Sequence, residues 1–179
     1  MPRCAASRVA AAAMLGLAGG ASGSAQDRAN APLNDPAVVA VRNVYRAVEK
    51  DAARQQLRRE HASMAECGPN GEERTLFADK AGRVRKYVWE SGSSDSALTI
   101  RHYYDTEGRL RFVFVTGGAV NNTQIEHRVY LDEAGQRIRE TRELKSGPGW
   151  TFPQFTDEEG LIVRAPREAF ARKCDAAAQ

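Results

Sequence analysis

Three histidines, His61, His102 and His127, are the residues of this chain best suited to proton transfer or metal binding. His102 lies three residues before Asp105, and His127 lies five before Asp132. If each aspartate begins a hairpin turn, both histidines point to the same face of a sheet. With His61 beside them, three imidazoles would suit a zinc ion. We favour the alternative of unrelated core and surface histidines, and we predict no metal and no other cofactor.

Common catalytic motifs are missing from the sequence. It contains no Gly-x-Ser-x-Gly, no His-Glu-x-x-His and no glycine-rich phosphate loop. We therefore predict that the protein is not an enzyme. A hydrolase that uses His102 and His127 ranks third among the functions considered.

Arginine and aromatic residues alternate along several predicted strands. Such a surface can stack on sugars or bind carboxylates through bidentate guanidinium groups. The alternative is that these residues form ordinary cross-strand pairs on a solvent-exposed face. The candidate binding residues are Tyr87, Trp89, Arg101, Tyr103, Arg111, Arg128 and Tyr130.

A second aromatic feature is the loop 146–153, which carries Trp150 and Phe152. If exposed, the two rings would anchor a partner. If folded back, they would plug one end of the sheet, and we favour this interpretation.

The elements that position these residues follow from a motif that occurs four times: an aromatic residue, any residue, aspartate, any two residues and glycine. Its aspartates, spaced 25 to 27 residues apart, are Asp79, Asp105, Asp132 and Asp157. Each aspartate can accept a backbone N–H two residues on, and each glycine can adopt the left-handed conformation. Each copy therefore predicts a three-residue hairpin loop with a glycine bulge.

The turn predicts which residues share a face. We expect Tyr103 to pair with Arg111, and His102 to pair with Phe112. One face, the better core and the expected seat of a helix, comprises Leu98, Ile100, His102, Tyr104, Leu110, Phe112 and Phe114. The other comprises Thr99, Arg101, Tyr103, Arg111, Val113 and Val115. In the third copy, two residues before Ile138 predict a bulge or register change.

An N-terminal helix precedes the repeats. Asp35 is the predicted N-cap, and Pro36 the first helical residue. An apolar stripe through Val41, Tyr45 and Val48 gives the helix a buried side, and we expect it to continue to about Ala65. The fourth copy, with Leu161-Ile162-Val163, is predicted to form an edge strand, and a short helix to span Arg167 to Cys174. The fold class is α+β: a long N-terminal helix on a curved antiparallel meander of about six to eight strands built from four hairpin repeats.

One copy carries a fuller sequence motif. Residues Tyr104 to Leu110 read Tyr-Asp-Thr-Glu-Gly-Arg-Leu. This stretch resembles the tyrosine-aspartate (RHS-type) hairpin repeats of secreted bacterial proteins. The resemblance implies hairpin architecture and assigns no functional residue.

The first 25 residues have the pattern of a secretory signal: Arg3 and Arg8, an apolar run, and small residues before Gln26. Without them, the formal charge falls from +3 to +1, so a general nucleic-acid binder is not expected. Cys67 and Cys174 then remain as a predicted disulfide. We predict a flexible start over 26–34, one domain over 35–174 and a disordered tail over 175–179.

Together these features favour an exported bacterial protein, periplasmic or secreted, that binds another macromolecule without catalysis, as an inhibitor, an immunity-type protein or an envelope accessory. Its expected partner is an envelope or secreted protein or a saccharide, with no nucleic acid and no stable membrane insertion. The alternative is a carrier of a small apolar ligand between helix and sheet. The oligomeric state does not follow from the sequence.

Overall fold

The computed structural model describes residues 30–67, 70–152 and 158–174. The predicted signal segment 1–25 and the tail 175–179 lie outside these residues. Asn30 and Ala31, which were predicted to belong to a flexible start, instead pair with the last strand of the sheet. Asn30 bridges Arg139, and the Ala31 N–H donates to the Ile138 carbonyl at 3.0 Å.

Helix α1 spans Pro36–Ala53. Its start is as predicted: the Asp35 carboxylate accepts the Ala37 N–H at 2.8 Å, and Pro36 occupies the first helical position. Val38, Val41 and Val48 are fully buried along its apolar stripe.

The predicted continuation of the helix to about Ala65 is wrong. The helix ends at Ala53, Gln55 takes a positive φ of 56°, and the chain then forms the edge strand Arg58–Met64. This charged segment has no apolar stripe with which to pack as a helix. Pairing with the next strand satisfies its backbone groups instead, so tertiary context overrides helix propensity.

Seven strands form one antiparallel sheet in which every strand neighbours the next in sequence, which confirms the predicted meander. The strands are β1 (Arg58–Met64), β2 (Glu72–Ala78), β3 (Val84–Gly92), β4 (Ser96–Tyr104), β5 (Leu110–Ala119), β6 (Gln124–Leu131) and β7 (Arg137–Ser146).

Three of the four repeated motifs form the predicted turns, between β2 and β3, β4 and β5, and β6 and β7. In the first turn, the Asp79 carboxylate accepts the N–H groups of Ala81 and Arg83 at 2.9 and 3.0 Å. The glycines of the three turns have φ of 80°, 80° and 74°. The aspartates therefore serve turn geometry.

The predicted register of the second hairpin is wrong by one residue. Tyr104 pairs with Leu110 but Tyr103 pairs with Phe112, so Arg111 is an extra residue in a bulge. The register of the first and third hairpins also shifts by one residue at the equivalent position. A shift was expected only in the third hairpin. The extra residue lies beyond the glycine loop, after the Tyr104–Leu110 pair, and the one-residue shift turns every later side chain of β5 to the opposite face.

The bulge residues Arg85 and Arg111 connect neighbouring hairpins. Both are buried. The Arg85 Nε donates to the Tyr104 carbonyl at 3.3 Å, and the Arg111 Nε donates to the Leu131 carbonyl at 3.2 Å. The repeat thus supplies a buried arginine that fixes the end of the following hairpin.

The sheet separates two apolar clusters. We call the side covered by α1 the α1 face, and it is lined by Tyr103, Phe112, Tyr130 and Ile138. We call the opposite side the C-terminal face, and it is lined by Tyr87, Leu98, Ile100, Val113, Val115 and Val129. The helix therefore does not sit on the predicted face with Ile100 and His102.

The C-terminal residues cover the second face. Helix α2 spans Glu158–Leu161 and helix α3 spans Pro166–Ala171. Leu161 is buried in the cluster of the C-terminal face, and Ile162 and Val163 pack against it, so the predicted fourth hairpin with an edge strand is wrong. Its Asp157 lies outside the described residues.

The predicted disulfide is present between Cys67 and Cys174, with Cα atoms 5.5 Å apart. This spacing suits the bond. The link joins the segment after β1 to the residues after α3, and so holds the C-terminal segment at the sheet.

Candidate functional site

The histidines do not converge on one site. His102 and His127 share the C-terminal face, as predicted, on strands β4 and β6. His61 lies on edge strand β1 and contacts the Thr75 hydroxyl at 3.1 Å. Because Thr75 alternates with the buried Leu76 of the C-terminal face, His61 lies toward the opposite side of the sheet.

His102 anchors the C-terminal segment. Its side chain is fully buried, stacks on the Tyr87 ring at 5.5 Å and places Nε2 3.2 Å from the Leu161 carbonyl. Burial lowers its pKa to about 4, although hydrogen bonds to the backbone oppose the shift. The imidazole is therefore a neutral donor to the Leu161 carbonyl and holds this segment against the sheet.

His127 is also buried. Its Nε2 lies 2.8 Å from the Glu140 Oε1. Burial lowers its pKa, and the Glu140 carboxylate opposes that shift. The contact links the neighbouring strands β6 and β7 beneath the C-terminal face.

Of the seven predicted binding residues, Tyr87, Tyr103, Arg111 and Tyr130 are buried, and Trp89 is partly buried. Tyr87 is buried on the C-terminal face, where burial raises its pKa to about 12, and Trp89 packs against the same cluster. Arg111 is held in its bulge by Asp105, 3.2 Å from the carboxylate. Tyr103 lies beneath α1 and donates to Glu49 at 2.8 Å. These positions are not part of one exposed surface: the bulge at Arg85 turns Tyr87 and Trp89 to the C-terminal face, whereas Tyr103 is covered by α1.

Glu49 ties the helix to the sheet. Its carboxylate accepts from Tyr103 and lies 2.6 Å from the Lys86 ammonium group. Partial burial would raise the pKa of Glu49, but the bonds from Lys86 and Tyr103 lower it overall. Its charge is therefore satisfied internally and is not available to a ligand.

The remaining predicted residues, Arg101, Arg128 and Tyr130, stay on the α1 face beside the helix. Here the structure forms a cleft with a volume of about 320 Å³. Its lining comes from the helix and from strands β5 and β6. The lining residues are Arg42, Tyr45, Arg46, Phe112, Phe114, Arg128 and Tyr130.

The helical part of the cleft is a single stripe. Arg42, Tyr45 and Arg46 have the spacing i, i+3 and i+4, which places them on the same side of α1. Of these residues, only Tyr45 belongs to the apolar stripe that the sequence predicts. Arg42 and Arg46, which lie on the same side of the helix as Tyr45, are the sequence signal that could have indicated this cleft.

The floor of the cleft is aromatic. The rings of Phe112 and Phe114 lie nearly parallel, with centroids 6.3 Å apart. Guanidinium groups flank Phe114: the Cζ of Arg128 lies 5.0 Å from the ring centroid and that of Arg101 lies 5.8 Å away. Such cation–π contacts hold the guanidinium groups in place beside the aromatic floor.

The arginines of the cleft differ in how their charge is satisfied. Arg128 pairs with Glu126 and Glu143, and Arg101 donates to the Thr116 hydroxyl. Arg42 and Arg46 form no ion pair or side-chain hydrogen bond with any described residue. Like charges at i and i+4 destabilise a helix by about 0.2 to 0.5 kcal/mol. The two positive charges therefore carry a small cost within the helix that no described residue offsets.

A larger notch lies where the end of α1 meets the first hairpin loop. It has a volume of about 430 Å³ and is more open than the cleft. Its charged residues include Asp79 and Arg83, which already pair with each other. Its other two charged residues, Asp51 and Lys80, carry opposite charges, so the notch has no pair of like charges comparable to Arg42 and Arg46, and the cleft is the better candidate site.

Within the described part of the chain, one cluster combines enough metal-ligand types: Glu66, Cys67 and Cys174, with ligand atoms within 4.8 Å of one another. Both cysteine sulfurs belong to the disulfide. Thiolates are the form that binds metal, so this cluster does not provide a metal site.

The loop aromatics take the predicted plug position. Phe152 is buried in the cluster of the C-terminal face, and Trp150 packs against it. The Phe152 ring lies directly over Gly117, where an added Cβ would come within 2.9 Å of the ring. These two aromatics are therefore part of the core and not partner anchors.

Comparisons with protein-family models, curated proteins and solved structures each found no match. Among the described residues, no helix is long and apolar enough to cross a membrane. The arginine and aromatic side chains of the cleft therefore provide the main indication of function.

Proposed function

We propose that this chain is a non-catalytic exported protein that binds another macromolecule, as an inhibitor, an immunity-type protein or an envelope accessory. The observation that carries the proposal is the cleft beside α1, where arginines border an aromatic floor. Aromatic residues and arginine are enriched at the centres of protein interfaces and dominate their energetics.

The surroundings of the cleft support an interface. Thr116 and Glu126 are half-buried next to it, and Glu143 and Lys145 on β7 are exposed. A polar, solvent-accessible rim around a central aromatic and arginine pocket is the usual anatomy of a protein interface. The α1 face beyond the helix therefore has the composition of a contact surface.

The packing beneath α1 favours this proposal over the carrier of a small apolar ligand. The Tyr45 ring contacts those of Tyr103 and Phe112 at centroid distances of 5.1 and 5.5 Å, and Phe112 contacts Tyr130 at 4.9 Å. These rings fill the space between helix and sheet that an enclosed ligand would need.

No observation favours the hydrolase. His102 and His127 are both buried under the C-terminal face. A general base must come within hydrogen-bonding reach of its substrate. The burial of both imidazoles agrees with a structural role.

Export is part of the proposal. Disulfides persist in oxidising compartments, so the Cys67–Cys174 bond is compatible with it. The intact mass of the protein recovered from the periplasm or medium is the direct measurement. A mass that begins at Gln26 is expected, and a full-length cytoplasmic product would contradict it.

The binding site is tested by charge removal. In the R42Q/R46Q variant we expect loss of a specific partner that the wild-type protein captures from envelope extract, because the unneutralised pair has gone. The partner is identified by mass spectrometry and purified. Its affinity for both proteins is then measured by calorimetry, with a decrease of about tenfold or more expected.

The matched control is R54Q/R59Q. Arg54 and Arg59 are exposed and lie outside the cleft, and their replacement removes the same charge. This variant should bind the partner as the wild type does. Equal affinity for the wild type and R42Q/R46Q would show that the cleft is not the contact site.

A further inference from the structure

We propose that the cleft binds the carboxyl-terminal residue of a partner polypeptide when that residue is aromatic. The α-carboxylate would lie between Arg42 and Arg46, with the ring over Phe114. This inference rests on the proposed binding function and specifies the chemistry of the partner.

The carboxylate position follows from the two arginines of α1. They lie one helical turn apart on the same side of the helix, and neither has an ion-pair partner among the described residues. Arg128, across the cleft, is already paired with two glutamates. An incoming carboxylate can accept bidentate hydrogen bonds from the helical pair without breaking an existing ion pair.

The hydrogen-bonding character of the lining favours a chain end. Among the side chains that line the cleft, arginine offers donors and no acceptor, phenylalanine offers neither, and only the hydroxyls of Tyr45 and Tyr130 can accept. The nearby Glu126 carboxylate is already paired with Arg128. A neutral sugar or an internal peptide segment would bring several donors that find few acceptors. A carboxyl terminus brings a single N–H with its final residue and ends in an acceptor-only group, which matches the lining.

The apolar part of the ligand is determined by the floor. Phe112 and Phe114 present adjacent, nearly parallel rings, and Tyr45 and Tyr130 lie beside them. Aromatic groups gain from stacked and edge contacts beyond the burial of area. The volume of about 320 Å³ is at the small end of ligand sites, as expected for one residue and not a longer segment.

The test uses the purified protein and three synthetic peptides in a calorimetric or NMR titration. The probes are acetyl-Ala-Ala-Phe with a free carboxylate, the same peptide as its amide, and acetyl-Ala-Asp-Phe-Ala-amide, whose carboxylate is internal. We expect the free acid to bind about tenfold more tightly than either amidated peptide. Equal affinities, or no binding of the acid below about 10 mM, would overturn the inference.

Variants assign the two parts of the ligand. R42Q/R46Q should reduce the affinity for the acid to that for its amide, whereas R54Q/R59Q should keep the preference. F114L should weaken both acid and amide, because it removes the ring contact. Thermal unfolding of each variant confirms that it is folded. A preference for the acid that survives in R42Q/R46Q would exclude the proposed carboxylate position.

The outcome separates this inference from the proposed function. If R42Q/R46Q loses its macromolecular partner but the wild type does not discriminate acid from amide, the cleft binds a different chemical group and only this inference fails. If the partner binds R42Q/R46Q unchanged, the proposed contact site fails.

Discussion

The C-terminal face of the sheet is covered by a segment held through its backbone carbonyls, whereas the α1 face is covered by a helix held mainly through side-chain packing. Arg74 donates to the Ala169 carbonyl at 2.9 Å, and the Tyr104 hydroxyl donates to the Val163 carbonyl at 2.8 Å. His102 contacts the Leu161 carbonyl in the same way. No comparable set of side chains is aimed at the backbone of α1 within the described residues.

The difference has a physical cause. A helix satisfies most of its own backbone groups, whereas a segment with little regular structure needs partners for its carbonyls. The buried polar side chains of the C-terminal face supply those partners. On the α1 face, the polar side chains of the helix are not needed for this task, and Arg42 and Arg46 have no ion-pair partner among the described residues, as the proposed binding site requires.

The largest expected effect is on the C-terminal face. In the C67A/C174A variant, we expect a loss of about 4 to 5 kcal/mol in the free energy of unfolding, since the bond spans a sequence separation of 107 residues. Urea unfolding measures the loss. Reduction of the wild type should reproduce it, and reductant should not affect the variant. A loss below about 1 kcal/mol would show that carbonyl contacts alone hold the segment.

The second effect is the pH dependence caused by His102. Its folded pKa of about 4 lies below its unfolded value of 6.5, so between these values the unfolded chain takes up a proton that the folded protein does not. Stability should therefore fall as the pH decreases through this window, by about 3 kcal/mol in total. In H102Q this contribution should disappear. Parallel stability curves for the two proteins, from urea unfolding at several pH values, would contradict the role of His102.

The third effect concerns the plug. G117A would place a Cβ 2.9 Å from the Phe152 ring and 3.0 Å from side-chain atoms of Ile125 and Leu98. We expect a destabilisation of about 1 to 3 kcal/mol by thermal or urea unfolding. The control is G118A, whose added Cβ meets only the Thr123 carbonyl at 3.8 Å. Similar stabilities for the two variants would mean that Phe152 does not pack on Gly117.

The smallest effect is on the α1 face, and it is a stabilisation. R42Q/R46Q should stabilise the protein by about 0.2 to 0.5 kcal/mol at low salt, because it removes repulsion within α1. The gain should decline as salt is added. Thermal unfolding at two salt concentrations measures it, with R54Q/R59Q as the control. A clear destabilisation would mean that the pair serves the fold and not a ligand.

Several features of the fold could be read from local sequence because local chemistry produces them. Asp79, Asp105 and Asp132 form turns through bonds to their own neighbouring backbone, and Asp35 caps a helix in the same manner. These interactions span only a few residues. Their glycines adopt a conformation that other residues rarely reach.

The candidate site was only partly predictable. Arg128 and Tyr130 were identified from the alternation of arginine and aromatic residues, but Arg42 and Arg46 come from a helix more than 60 residues earlier in the chain. Nothing in the local pattern says which face of the sheet the helix covers. The bulge after the second turn adds Arg111, and that extra residue decides on which side Phe112 and Phe114 lie.

The sequence by itself determined the three hairpin turns, the meander that they connect, the start of α1 and the pairing of Cys67 with Cys174. Only the tertiary structure decided where α1 ends, which face it covers and how its arginines meet the aromatic floor. Turn and cap interactions form between near neighbours and leave a direct pattern in the sequence. Face assignment depends on one-residue register shifts and on competition between segments for the same surface, which are resolved only when the whole chain packs.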